Sequence, residues 1–387
     1  MRSLKDAKVK NKRVLVRCDF NVPLDDKGQI TDDFRIRSTL PTINWLIKNG
    51  AKVILMSHFG SPEGNIVETL KMDVVQQRLT EYLDLSVVKA PDCVGKEIES
   101  WTKEMKPGEI LLLENLRFHK EEEENDSRFA KKLAALGDIY INDAFGTCHR
   151  AHASIVGAPK FLPPFAGLLL EKEIKSLNKI IKNPKRPLVA AMGGAKVSTK
   201  IKLMKELLNY VDHLFVGGVL ANTILKAKGM AVGKSKVDDE MIEETKKLNL
   251  TSQKFHLPID VVVSRDVSGE AEIMRRGPGS VGEDELILDI GPDTIRLFES
   301  IAKKAKVIFW NGPMGYYENE KFAKGTIALA EIIARSKAYS IIGGGDAVSI
   351  LEKLNLTKNI DHISTGGGAM LAYIAGEELP GIKALKQ

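Results

Sequence analysis

Short, almost uninterrupted apolar runs alternate along the chain with stretches in which apolar residues recur every three or four positions. The runs fall at 13–19, 52–57, 109–114 and 138–143, then at 187–192, 213–216, 256–264, 307–311, 339–342 and 362–365. Continuously apolar segments of this length predict strands buried on both faces of a parallel sheet. The stretches at 127–136 and 200–210 predict helices between them. The alternation is that of doubly wound α/β domains. At 161–185 it breaks. A Leu-Pro-Pro-Phe turn precedes one helix over 167–182, whose apolar stripe is Leu169, Ile174, Leu177, Ile180 and Ile181, and Asn183-Pro184 stops it. A helix so placed predicts a hinge between two lobes.

Polar chemistry gathers at the carboxyl ends of the runs, where open α/β sheets bind ligands. In the first half these ends carry Arg17-Cys18-Asp19-Phe20-Asn21, Ser57-His58-Phe59-Gly60, Glu114-Asn115-Leu116-Arg117-Phe118-His119 and His149-Arg150-Ala151-His152. Guanidinium and imidazole groups suit a compact anion such as a phosphorylated acid. Arg35 and Arg37, after Thr31-Asp32-Asp33, predict further charge on the same rim. In the second half the ends carry Gly193-Gly194-Ala195-Lys196, Gly217-Gly218, Asn311-Gly312-Pro313, Gly343-Gly344-Gly345-Asp346 and Gly366-Gly367-Gly368. Glycine turns before helix N-termini let backbone N–H groups reach a polyphosphate. Asp346 fits a helix cap and a Mg²⁺ ligand equally well. Lys196 and Lys200, four apart, share a helix face that fits a polyphosphate clamp or plain solvent exposure.

Composition narrows the classes. With 43% hydrophobic residues the 387-residue chain can supply two cores. A net charge of +6, with lysines spread among glutamates, is not a nucleic-acid footprint. Cys18, Cys93 and Cys148 lack the spacing of a disulfide framework and predict a reducing compartment. The polar start and the absence of a long apolar run predict a cytoplasmic protein without a signal or membrane span. The run at 121–124 predicts a solvated acidic face.

Three motifs mislead. Residues 229–235 resemble a Walker loop, but three residues separate the glycines instead of four, and the stretch before them reads as helix. Residues 277–282 spell a dinucleotide fingerprint in which Pro278 removes a needed N–H. Cys148, His149 and His152 offer zinc donors with no second cluster to complete a tetrahedron.

Taken in series from residue 3 to residue 385, the motifs of both halves resemble those of phosphoglycerate kinases. The first-half motifs, with Val22-Pro23 after Asn21, match the family's acid site. Its nucleotide site is matched by Gly193 to Ser198, Trp310 to Gly315, Gly343 to Asp346 and Ser364 to Ala369. The resemblance implies reversible phosphoryl transfer between ATP and 3-phospho-D-glycerate, with Mg²⁺, in a cytoplasmic monomer without nucleic-acid or membrane partners. It implies an acid-binding domain over 1–166, a hinge helix over 167–183 and a nucleotide domain over 184–368, the tail 369–387 packing back on the first. By position, Asp19 and Asn21 would hold the glycerate, and His58, Arg117 and Arg150 its non-reacting phosphate, beside Phe59, Gly60 and Ser61. Arg35, Lys196, Gly345 and Gly368 would stabilise the phosphoryl group in transfer. Lys200, Asn311, Gly343, Gly344 and Gly345 would face the nucleotide phosphates, Pro313 and the Ala347 backbone would also serve the nucleotide, and Glu318 would take the ribose. Gly193, Gly217 and Gly218 would wall the adenine pocket, and Asp346 would hold the metal.

The chain departs from the family pattern at three positions. Ser61 stands where arginine is usual, Ala347 where a hydroxyl residue is common, and Thr199 where aspartate is frequent. One missing charge-assisted hydrogen bond costs about 1.5–3 kcal/mol, which predicts weaker hold on the acid. A non-catalytic binding protein of the same fold is the second reading. Arg35, Lys196 and Asp346 argue against it.

Overall fold

In the computed structural model, which describes residues 1–386, the apolar runs are strands and the amphipathic stretches helices. The chain divides into two compact units, Met1–Ile174 with the segment from Glu378 onward, and Lys175–Glu377.

The first unit holds β1 (Arg13–Arg17), β2 (Lys52–Met56), β3 (Val87–Lys89), β4 (Ile110–Leu112), β5 (Ile139–Asn142) and β6 (Pro164–Ala166). They form one parallel sheet in the order β3-β4-β2-β1-β5-β6. Val14 and Val16 of β1 and Val53 and Leu55 of β2 share a core with Ile36, Ile43 and Leu46 of the helix Phe34–Lys48. Each such side chain contributes about 1.5–3 kcal/mol by leaving water. The chain steps from β1 to β2 on one side and returns to β5 on the other, so β1 is the topological switch point of the sheet. The strands Val87–Lys89 and Pro164–Ala166 have three residues each and were not apparent in the sequence. The second replaces part of the expected turn, with its proline at the first position of an edge strand, where the missing N–H is tolerated.

The second unit holds β7 (Leu188–Met192), β8 (His213–Val216), β9 (Phe255–His256), β10 (Val261–Ser264), β11 (Met274–Arg276), β12 (Leu286–Ile290), β13 (Val307–Asn311), β14 (Tyr339–Gly343) and β15 (His362–Ile363). Six of these form a parallel sheet in the order β15-β14-β13-β7-β8-β9, and the others an antiparallel sheet in the order β11-β10-β12. The apolar run at 256–264 is therefore two strands in two sheets. Pro258, which has no N–H to continue a ladder, stands between them. Trp310, Ile308 and Ile342 anchor the core, with Phe298 from the helix Pro292–Ala302 and Leu329 from the helix Lys324–Arg335.

The helix Leu168–Ile181 carries the chain from the first unit into the second. Pro380–Lys383 belongs to the first unit, the Gly381 N–H donating to the Cys148 carbonyl at 2.9 Å. Gly368–Ile374 belongs to the second.

Candidate active site

In the first unit the cationic motifs follow β4, β2, β1 and β5, four neighbours in the sheet. Arg17, 1% exposed at the end of β1, stitches their loops together. Its Nε donates to Ser154 Oγ at 2.8 Å, one terminal nitrogen donates to the Cys18 carbonyl, and the other lies 3.3 Å from His58 Nδ1. His58 is buried, and burial followed by the fields of Arg17, Arg117, Arg150 and Arg35 holds its imidazole well below the ordinary value. It is neutral at pH 7. His152 is pushed down to about 4 by burial and then by Arg117, Arg17 and Arg150. This positive field, met in part by Glu123, Asp19 and the buried Glu122, is what an anionic ligand would relieve further.

Arg117 is desolvated too, and burial lowers its pKa. One terminal nitrogen donates to the Gly60 carbonyl at 2.7 Å and to Ser61 Oγ at 3.2 Å. Its Nε forms an ion pair with Glu123 at 3.0 Å, outside hydrogen-bond geometry. Arg35 donates to the Asn21 carbonyl at 2.8 Å and lies 3.4 Å from the Asp19 carboxylate. Asn21 Oδ1 accepts from the Gly60 N–H at 2.9 Å, so Asp19, Asn21, Arg35 and Gly60 form one rim. Arg37 is instead paired with Asp33 at 2.6 Å, which also binds Arg78 and Tyr82.

Two buried residues that sequence reasoning missed hold this arrangement. Asn115 accepts from the Phe59 and Arg117 N–H groups at 3.0 and 3.1 Å and donates to the Phe59 and Leu70 carbonyls at 2.6 and 3.0 Å. Glu122, expected in a solvated acidic face, is fully buried, accepting from Ser154 N at 2.9 Å and Ser154 Oγ at 2.5 Å. Its partner lies 32 residues away, beyond any local pattern. Phe59 contributes no side chain to the rim. The ring lies in the core, and Asn115 occupies both backbone groups.

In the second unit two adjoining clefts open on the carboxyl edge of the parallel sheet, with Ala195 and Asp346 lining both. The first, about 300 Å³, is largely apolar, lined by Val219, Val261, Leu286, Leu288, Met314 and Tyr316, with Gly218, Pro313 and Glu318. Of the glycines expected to wall it, Gly218 lines the cleft, whereas Gly193 and Gly217 pack behind Pro313 and Met314 with no room for a side chain. A Cβ at Gly193 would strike the Pro313 carbonyl, and one at Gly217 would strike Met314. Gly218, at φ +61°, donates to the Met314 carbonyl at 2.7 Å.

The second cleft, about 660 Å³, is lined by Lys196, Lys200, Asn311, Gly344, Gly345 and Gly368 among others. Three helices begin at it, Val197–Tyr210, Gly345–Lys353 and Gly368–Ile374, and none has a side-chain cap. Uncapped helix starts present free N–H groups and the positive dipole end to an anion. Lys196 is exposed at the cleft, whereas Lys200 is buried and donates to the Gly193 carbonyl. Burial pulls the Lys200 ammonium down to about 8, with Lys196 lowering it and Asp346 opposing. Asn311 donates to the Gly343 carbonyl at 2.8 Å, fixing the turn before Gly344.

Of the two readings for Asp346, capping falls. Gly344 occupies the cap position, and the carboxylate accepts only from the Tyr317 hydroxyl at 3.1 Å, making no ion pair among the described residues. Ala347 is fully buried in the first turn of that helix, and its side chain lines neither cleft.

Elsewhere, residues 229–235 follow the helix Gly218–Ala227. Among the described residues, the group of three His, Cys, Asp or Glu donors that all lie within 4.8 Å of one another is Asp92, Cys93 and His119, not Cys148 with His149 and His152. These three satisfy one another and the backbone, His119 pairing with Asp92 at 2.6 Å and the Cys93 thiol donating to the Glu114 carbonyl at 3.0 Å.

The profile of the phosphoglycerate kinase family matches residues 4–377. The chain is 49% identical to a phosphoglycerate kinase of Moorella thermoacetica across all of this chain and 99% of the relative. It is likewise 49% identical to one of Chlorobium phaeobacteroides, with 99% of both covered. Among solved structures, phosphoglycerate kinases of Coxiella burnetii and Pyrococcus horikoshii superpose over all of this chain and 98% of theirs, each with a TM-score of 0.88, at 40% and 36% identity. The ordered motifs, the paired parallel sheets that carry them and this whole-length similarity together make the chain a member of the phosphoglycerate kinase family.

Proposed function

We propose that this chain transfers the γ-phosphoryl group of ATP reversibly to the carboxylate of 3-phospho-D-glycerate, giving ADP and 1,3-bisphosphoglycerate in glycolysis and gluconeogenesis. The observation that carries the reading is that each half of the site lies at the carboxyl edge of its own parallel sheet, cationic in one unit and glycine-rich in the other. Arg117, Arg150 and neutral His58 take the non-reacting phosphate, while Asp19 and Asn21 take the glycerate hydroxyl and backbone. The apolar cleft takes adenosine, with Glu318 at the ribose, and the larger cleft takes the phosphates on Lys200 and the helix starts.

In the transfer step a carboxylate oxygen of the acid forms a bond to the γ-phosphorus as the bond to the β-bridging oxygen breaks, and ADP leaves. A carboxylate is already a competent nucleophile at pH 7, so no general base is needed, and positioning and cations supply the catalysis. Arg35 and Lys196 stabilise the charge in flight, and the amides of Gly345 and Gly368 add backbone donors. Donor and acceptor atoms must come within about 3–3.5 Å, so turnover includes hinge closure about the helix Leu168–Ile181, which also excludes water from the acyl phosphate.

The Asp346 carboxylate, a hard oxygen donor open to the phosphate cleft, fits Mg²⁺. Bound there with the nucleotide phosphates, the ion would neutralise their charge. The enzyme acts as a cytoplasmic monomer on small molecules, without nucleic-acid or membrane partners. No described helix is long and apolar enough to cross a membrane, and the described cysteines are all free and buried. Nothing favours a non-catalytic binding protein.

Purified protein should form ADP from MgATP only when 3-phosphoglycerate is present. Nucleotide binding without that turnover would contradict the reading. Protons provide a second check. A phosphate dianion among Arg17, Arg117 and Arg150 offsets the field that depresses His58 and His152, so their pKa values rise on binding. The two imidazoles should therefore take up protons on acid binding between about pH 4 and the ordinary imidazole value near 6.5. Nucleotide should take them up near pH 8, where Lys200 titrates. Titration of the histidine ring signals by NMR measures the first, and calorimetry in buffers of different ionisation enthalpy the second; imidazole pKa values that do not rise with the acid bound, or proton release on nucleotide binding near pH 8, would contradict the assignment.

A further inference from the structure

The loop after β13 walls the apolar cleft with Pro313, Met314, Tyr316 and Tyr317. It is clipped at two points. The Met314 N–H donates to Thr326 Oγ1 at 3.0 Å, in the helix Lys324–Arg335, and the Tyr316 N–H donates to the Leu288 carbonyl at 2.6 Å, in β12. Asp289, the next residue of β12, joins the two anchors. Its Oδ2 accepts from the Gly325 N–H at 2.7 Å in the first turn of that helix, and its Oδ1 accepts from the Ile290 N–H at 2.8 Å. The space around the carboxylate is filled from both sides, since a Cβ at Gly315 in the loop, or at Gly325 in the helix, would overlap Oδ1.

Such a carboxylate is costly to keep. It is 3% exposed, and burial raises its pKa to about 7, with Lys324 and the two backbone donors opposing. An apolar residue of similar size would fill the space without that cost. What it could not supply is the acceptor that ties strand to helix behind the loop, beside a second that meets the next N–H of its own strand.

We infer that Asp289 is a positioning residue for nucleotide binding, locking the 312–317 loop against β12 and the start of the helix Lys324–Arg335 so that the adenosine cleft keeps its shape. The inference rests on reading that cleft as the nucleotide site. Asp289 touches neither reactant in this account. Its effect reaches the nucleotide through Met314 and Tyr316.

Asp289→Asn keeps the size of the side chain but turns one acceptor into an NH₂ group facing an N–H donor. In the full-length enzyme we expect KM for MgATP and Kd for MgADP to rise about tenfold, roughly the loss of one buried hydrogen bond. KM for the acid and kcat at saturation should stay within about twofold. Gly315→Ala presses a methyl group against the same carboxylate and the neighbouring Leu288 carbonyl from the loop side, where the backbone is not in the left-handed region, and should give the same nucleotide-selective rise. It serves if the first variant does not fold. A folded variant with unchanged nucleotide KM, or with both KM values raised equally, would overturn the inference. Wild-type protein that fails to bind MgADP by calorimetry would overturn the underlying reading and this inference together. Wild-type binding matched by equal binding in Asp289→Asn would overturn the inference alone.

Discussion

Replacing either Lys196 or Arg35 by alanine should lower kcat by about a hundred- to a thousandfold with the fold intact. Phosphoryl transfer asks little covalent chemistry of a protein, so the barrier falls mainly through cations placed where charge spreads over the moving group. Removing one such preorganised donor typically costs about 2.7–4 kcal/mol of transition-state stabilisation. Neither side chain holds up the fold. Lys196 is exposed at the start of the helix Val197–Tyr210, and the Arg35 side chain is 35% exposed, its main bond being to the Asn21 carbonyl. Steady-state kinetics with thermal melting separate the two effects. KM for either substrate should change much less than kcat, because the interaction proposed for these residues strengthens only in the transition state. Normal kcat in either variant would remove that residue from its role.

Asn115→Ala should be the most damaging single change to the acid site. The side chain is fully buried, and its loss leaves the N–H groups of Phe59 and Arg117 and the carbonyls of Phe59 and Leu70 without the partner they have now. Each unsatisfied buried group costs about 1–3 kcal/mol. Because the four share one network they do not add fully, and about 4 kcal/mol is expected, a large share of ordinary domain stability. The same loss frees the 57–61 and 115–118 loops, so KM for the acid should rise while KM for MgATP holds. Hydrogen exchange read peptide by peptide should show faster opening in the first unit with the second unit unchanged. Equal protection in both units, or unaltered acid KM, would show that Asn115 does not carry these loops.

Much of the fold was legible because a strand buried on both faces must be apolar at every position, as Val307–Asn311 nearly is. Motifs at strand ends were legible for the same reason: where the apolar run stops, the polar chemistry starts. Three kinds of feature escaped. Strands of three residues, such as Val87–Lys89, are too short to show a period. The apolar run at 256–264 gave no sign that its two parts join different sheets. Buried polar groups satisfied at long range were read by their neighbours in sequence, so Glu122 looked like one glutamate in a solvated run, Asn115 stood in a motif without a role of its own, and Asp289 drew no notice. Phe59 erred the other way, standing in a substrate motif while its ring belongs to the core. Asp346 was undecided because both capping and metal binding place a carboxylate at a helix start, and only the backbone at Gly344 separates them.

The central claim is that each unit grips one reactant, and titrating Arg117→Ala with both ligands by calorimetry tests it most directly. Affinity for 3-phosphoglycerate should fall by a hundredfold or more, since a desolvated guanidinium is lost from the phosphate cluster, about 3 kcal/mol. Affinity for MgADP should be unchanged. An equal fall for the nucleotide, or undiminished binding of the acid, would contradict the account.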